Sequence, residues 1–180
     1  MEVLMRIILF LIFGFLISSA HESFILNGHI RMLPKIMALD TRLTSKANSS
    51  KVIFAVVYDS NRKSDAQFVA EGINRVHHEK VSNIPFTAIA LSVNEVTERK
   101  DIAFVYMIQK CSSKSLKKMA AWGIENSIPT FSYDVADLEY GILGSIAFER
   151  STVIYINKKT LKEGKFHFDG TLYQIARLIE

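Results

Sequence analysis

Ile128-Pro-Thr-Phe-Ser-Tyr133, Asp134-Val-Ala-Asp-Leu-Glu-Tyr-Gly141, Leu143-Gly-Ser-Ile-Ala-Phe148 and Val153-Ile-Tyr-Ile156 are the pieces that decide the fold. The first reads as a strand. The second reads as a short helix that stops near Gly141. The third and fourth are apolar runs separated only by a connection around Glu149-Arg-Ser151. A link that short joins two strands only as an antiparallel hairpin. Asn157 follows, then Gly164 and a helix-like tail, Thr171-Leu-Tyr-Gln-Ile-Ala-Arg-Leu178.

Toward the N-terminus the same run type recurs. Lys51-Val-Ile-Phe-Ala-Val-Val-Tyr58, Pro85-Phe-Thr-Ala-Ile-Ala-Leu91 and Ile102-Ala-Phe-Val-Tyr-Met-Ile108 are nearly continuous apolar runs. Strands covered on both faces read this way. Helical patterns lie between them. After the turn Asp59-Ser60-Asn61, Ser64 or Asp65 caps a helix whose apolar face is Phe68, Val69, Ile73 and Val76. Asn94 to Lys100 is a short polar helical piece. Ser112 or Ser113 caps a helix facing inward with Leu116, Met119, Ala120 and Trp122, and Gly123 or Asn126 ends it. Ahead of all this, Phe24 to Leu43 carries Leu26, Ile30, Leu33, Met37 and Leu39 on one helical face, with Pro34 expected to kink or restart it. Strand and helix alternate, which implies βαβ units and parallel pairing. The expectation is an α/β fold: one domain, a mostly parallel sheet of about five to six strands, helices on both faces, and an antiparallel C-terminal edge hairpin.

Residues 1–20 read as a signal peptide. Arg6 supplies the positive charge, Ile7 to Ile17 the apolar run, and Ser18-Ser19-Ala20 the small residues of a cleavage site. That run falls short of the roughly 20 apolar residues of a membrane span. Retention as an anchor is the alternative to cleavage. Residues 21–180 then form one exported domain, periplasmic in a bacterium. Asn48-Ser49-Ser50 matches a glycosylation acceptor, which matters only in a eukaryotic secretory pathway. The net charge is +4, dispersed except for Lys110, Lys114, Lys117 and Lys118, and for Lys158, Lys159, Lys162 and Lys165. These clusters read as solvated faces, or as seats for an anionic partner. No aromatics interleave them, so nucleic acid is not expected. Cys111 is the one cysteine, so no intramolecular disulfide forms and stability rests on the core.

An open parallel sheet binds ligands beyond the carboxyl ends of its strands. Here those ends carry Tyr58-Asp59-Ser60-Asn61, Ser92, Gln109-Lys110-Cys111-Ser112 and Ser132-Tyr133-Asp134. The candidate ligand-binding residues are Tyr58, Asp59, Ser112, Tyr133 and Asp134; turns and helix caps would read the same way. Cys111 precedes a helix start with lysines nearby, two features that lower a thiol's pKa. No histidine is placed to serve it as a base, so no catalytic residue is assigned. His77 and His78 are adjacent, so they point about 100° apart on a helix and do not form a metal pair. His21, His29 and His167 are isolated in sequence. Gly141 and Gly144 do not form a phosphate-cradling loop. The expectation is a non-enzyme with no cofactor and no metal.

Gly144-Ser-Ile146-Ala-Phe148, Val153-Ile-Tyr-Ile156-Asn157, Gly164, Phe166 and Phe168, and Leu172 through Ala176 to Ile179 resemble the YfiR-like family of exported bacterial proteins. The resemblance implies a periplasmic regulator. Its partner would be the periplasmic part of an inner-membrane signalling protein, of diguanylate cyclase or kinase type. A homodimer stands beside that partner as an open alternative. A second, partial resemblance, from Ile128-Pro-Thr-Phe and Asp134 to Gly144, is to one lobe of an ABC-type solute-binding protein. It implies a small-molecule sensor or carrier.

Overall fold

The computed structural model describes residues 23–46, 51–148 and 150–180. Residues 1–20, read above as a signal peptide, the Asn48-Ser49-Ser50 triplet and Glu149 lie outside them. Helix α1 covers residues 23–37 and a short 3-10 turn follows at Thr44–Lys46. The order is then β1 (Val52–Tyr58), α2 (Lys63–His77), β2 (Lys80–Val81), β3 (Ile84–Ser92), α3 (Val93–Glu98), β4 (Ile102–Met107), α4 (Ser113–Asn126) and β5 (Thr130–Ser132). A 3-10 helix at Val135–Tyr140 leads to β6 (Gly144–Phe148), β7 (Thr152–Asn157), α5 (Lys158–Glu163), α6 (Gly170–Ile175) and β8 (Ala176–Ile179).

All strands share one sheet in the order β2-β3-β1-β4-β5-β6-β7-β8. From β3 to β6 every pairing is parallel; β7 runs antiparallel to β6. The α/β class and the β6–β7 hairpin match the sequence reading. The count does not: the sheet has eight strands rather than five to six. Two short strands make the difference. Lys80–Val81 folds back on Ile84–Pro85 through Ser82 and Asn83, both at positive φ (47° and 65°). Two such residues in a row match the twist of a tight hairpin, and no Gly advertises the turn. At the other end the tail is not one helix. It breaks at Ile175, and Ala176–Ile179 pairs parallel to β7, so β8 rather than the hairpin forms the edge.

Two cores lie on opposite faces. On one, Ile30, Leu33 and Met37 of α1 and Val69 and Ile73 of α2 pack on Phe54, Phe104 and Phe131. Those three rings come from adjacent strands and stack, with centroids 5.0 and 5.2 Å apart. On the other face Leu116 and Met119 of α4 and Val96 of α3 cover Ala55, Val57, Val105 and Met107. Complete burial of each large apolar side chain stabilises by roughly 1.5–3 kcal/mol. All six residues of β4 are buried, as its unbroken apolar run requires.

The helices depart from expectation in two instructive places. Along α2 the buried residues are Ala66, Val69, Ala70, Gly72 and Ile73, whereas Phe68 is 58% exposed and Val76 is 37% exposed. The small residues bring α2 close to α1: a Cβ on Gly72 would stand 2.9 Å from Ile30 Cδ1. Pro34 does not interrupt α1, which stays helical to residue 37. A proline cannot donate to the carbonyl four residues back. That carbonyl, Ile30 O, instead accepts from His77 Nε2 of α2 at 3.1 Å.

Candidate functional site

Strand β1 is first of the parallel strands in the chain yet lies inside the sheet, with β3 on one side and β4 on the other. The chain therefore leaves β3 and β4 in different directions. A crevice opens at their carboxyl ends, as strand-order reversal dictates. It has a volume of 450 Å³, within the range of small-ligand sites. Tyr58, Asp59 and Ser60 line it from the end of β1, Ser92, Val93 and Asn94 from the start of α3, and Ser112, Lys114, Ser115 and Lys118 from α4.

Local sequence fixes each wall. Ser92 caps α3 in a reciprocal box: Glu95 N donates to Ser92 Oγ at 3.3 Å and Ser92 N donates to Glu95 Oε2 at 2.6 Å. Ser112 caps α4, accepting from Ser115 N. Asp59 joins the β1 wall to the α4 wall. Its Oδ2 accepts from Ser112 N (3.0 Å), Ser112 Oγ (2.6 Å) and Ser115 Oγ (2.8 Å). Those bonds, the Ser112 hydroxyl foremost, hold the carboxyl down at about 2. Lys118 Nζ reaches from α4 to Asn94 Oδ1 of α3 at 2.8 Å and ties the two helices across the cleft.

Three of the five sequence candidates, Tyr58, Asp59 and Ser112, thus line one cleft. Tyr133 and Asp134 do not. Tyr133 lies over the His29 ring on the α1 face, with centroids 5.2 Å apart. Asp134 is exposed at the end of β5, where its carbonyl accepts from Ser132 Oγ. Partial desolvation by its neighbours raises the Asp134 carboxyl although the residue as a whole is exposed; next to it, burial and then the Asp134 charge push Asp137 up to about 6.

His29 is isolated in sequence but central in space. It is fully buried, with Tyr106, Tyr133 and Phe148 rings around it. Nε2 lies 3.0 Å from Ile146 O and Nδ1 lies 2.9 Å from Tyr106 Oη. A carbonyl only accepts, so Nε2 carries the proton and Nδ1 accepts from the Tyr106 hydroxyl. Burial drives this imidazole down to about 4, so it is neutral. The signal available in sequence was its place on the Ile30/Leu33 side of α1, one residue from Gly28, against which the Phe148 ring packs.

Cys111 corrects the expectation of a lowered thiol pKa. Burial, then the charges of Asp59 and Asp137, push it up to about 12, and its Sγ donates to Ile108 O at 3.2 Å. A thiol in that setting is not a nucleophile at neutral pH. Among the described residues no three His, Cys, Asp or Glu side chains are grouped to hold a metal ion. A smaller groove of 130 Å³ lies beside α2, bordered by Leu26, Arg62, Phe68 and Ile108.

No family model and no curated protein sequence matches this chain. Solved structures do match its fold. A conserved domain protein from Vibrio cholerae superposes with a TM-score of 0.56 at 12% identity, over 86% of this chain and 60% of that one. An ABC domain in complex with L-Trp from Streptococcus pneumoniae gives 0.52 at 13% identity, over 80% and 60%. A ligand-free, open substrate-binding protein with adhesive properties from Clostridium difficile gives 0.53 at 15%, over 77% and 57%. This chain therefore spans about 60% of the length of the proteins it matches. At such identities the likeness concerns the fold alone, an α/β unit with a mostly parallel sheet.

Proposed function

We propose that the chain is a small-ligand sensor or carrier that binds its ligand in the cleft beyond β1, β3 and β4. The observation that carries this is the coincidence of a 450 Å³ polar cleft with the reversal of strand order. The likeness to a protein bound to L-Trp and to a substrate-binding protein supports the same reading. Three cleft walls, from the end of β1, the start of α3 and the first turns of α4, give a ligand several independent contacts. Residues 1–20 belong to this reading as an export signal, and the periplasm as the compartment. A thermal-shift screen against amino acids, sugars and small organic acids tests it. A ligand that binds the folded state raises the midpoint by mass action. A midpoint unmoved by every member at millimolar concentration refutes the reading.

Binding to the periplasmic part of a membrane signalling protein is the second reading. It draws on the aromatic side chains Phe24 and Phe68, 62% and 58% exposed. Recovery of a cyclase or kinase on the tagged protein from membrane extract, lost on Phe68→Ser, supports it; unaltered recovery by the variant counts against that surface.

A further inference from the structure

We infer that the cleft takes a small anion, one bearing a carboxylate or phosphate group held between Lys114 and Lys118. The inference rests on the ligand-binding reading above and adds the charge class. The argument is a comparison of the charged groups at the cleft. Among the described residues Asp59 is the only carboxylate that lines it, and its Oδ2 accepts hydrogen bonds from Ser112 N, Ser112 Oγ and Ser115 Oγ. Ser60 Oγ also donates to Oδ1, at 3.3 Å. A carboxylate with those donors is already solvated by the protein and has little remaining demand for a cationic ligand. Glu95, close by on α3, is engaged by Ser92 N.

The two lysines are in the opposite condition. Lys114 is exposed at the cleft and makes no ion pair among the described residues. Lys118 donates to the neutral Asn94 amide, which leaves its charge unbalanced and two of its three protons available. Both come from the first turns of α4, a 14-residue helix whose positive end faces the same space. The serines, fixed as caps, supply orientation rather than charge. A cation would meet two ammonium groups there, and a neutral ligand would leave them both uncompensated.

The test uses isothermal titration of the exported protein with inorganic phosphate, with malonate, and with the uncharged sugar glucose. Three proteins are compared: wild type, Lys114→Gln/Lys118→Gln, and Lys158→Gln/Lys162→Gln. The last pair removes charge from the other lysine cluster, which lies with Glu180 beside α5. Loss of two charge-assisted bonds weakens binding by about tenfold or more. The inference predicts that loss of phosphate or malonate binding in the first variant only; which anion binds tells phosphate from carboxylate chemistry. Equal weakening in both variants means non-specific attraction to a basic surface and overturns it. Glucose binding that Lys114→Gln/Lys118→Gln leaves intact, with neither anion bound, also overturns it, while the ligand-binding reading survives. Absence of binding by all three probes overturns the anion assignment, and the broader screen decides the parent reading. Lys114, Lys118 and Lys162 are exposed and Lys158 is half-buried beside Glu180, and circular dichroism confirms that both variants fold.

Discussion

Mild acid should loosen this protein through His29 in particular. The imidazole is buried, donates to Ile146 O and accepts from Tyr106, so its neutral form is the one that fits. Its folded pKa is about 4 against an ordinary 6.5. The folded value is the depressed one. Stability from the neutral ring is therefore complete above pH 6.5 and is lost as pH falls toward 4, because the unfolded chain takes the proton first. At about 1.4 kcal/mol per pKa unit, integration from pH 7.5 to pH 4.5 gives a loss of about 2.5 kcal/mol. With a urea slope of about 2 kcal/mol per molar, the unfolding midpoint moves down by about 1.2 M. Other groups titrate in the same window: Asp137, raised to about 6, acts in the opposite sense, and His77, lowered chiefly by burial, acts in the same sense. The assay is accordingly a difference. Urea unfolding is followed at several pH values for wild type and for His29→Gln, whose amide can keep the donation to Ile146 without titrating. The stability gap between them should narrow by about 2.5 kcal/mol on going to pH 4.5. Curves that stay parallel across the whole range would refute the assignment of a neutral, buried His29.

Other expectations follow from the same geometry. Asp59→Ala removes the acceptor of three hydrogen bonds at the start of α4 and should cost about 1–3 kcal/mol in urea unfolding, with Ser112→Ala smaller at about 1 kcal/mol. Tyr106→Phe leaves His29 Nδ1 without its donor in a fully buried site and should cost about 1–3 kcal/mol by the same measurement. Gly28→Ala places a Cβ 2.4 Å from the Phe148 ring; displacement of that ring should lower stability by about 1–3 kcal/mol, and Phe148→Leu in the same chain should restore part of it. Cys111, pushed up to about 12, should react with iodoacetamide at pH 8 far more slowly than in urea-unfolded protein, which mass spectrometry reads directly.

The parts of the fold legible in sequence were those where burial imposes one pattern. β1 and β4 are covered on both faces, so their unbroken apolar runs were unambiguous. The start of α4 was legible because a serine cap is a local device, and Ser112 is the cap. Less legible were features set by contact. β2 is two residues long, and β8 exists because the edge of β7 was there to pair with it. In α2 the bulky residues suggested the inner face, but packing against α1 selected Ala66, Ala70 and Gly72 and left Phe68 outside. The candidate cleft divided in the same way. Tyr58, Asp59 and Ser112 share it because their strands flank the reversal point, whereas Tyr133, one strand further along, turned to the α1 face to meet His29. That His29 meets Ile146, 117 positions away, had no local trace at all.

The exchange at Pro34 has a consequence for how α1 and α2 are held together. One helix lacks a donor, and an imidazole from its neighbour supplies it at Ile30 O. An N–H at position 34 would add a second donor to Ile30 O, whose two lone pairs can take both; loss of the imidazole while Pro34 remains leaves that oxygen without this partner. A proline in one helix and a histidine in the other thus place a bond between two helices where one within a single helix is missing.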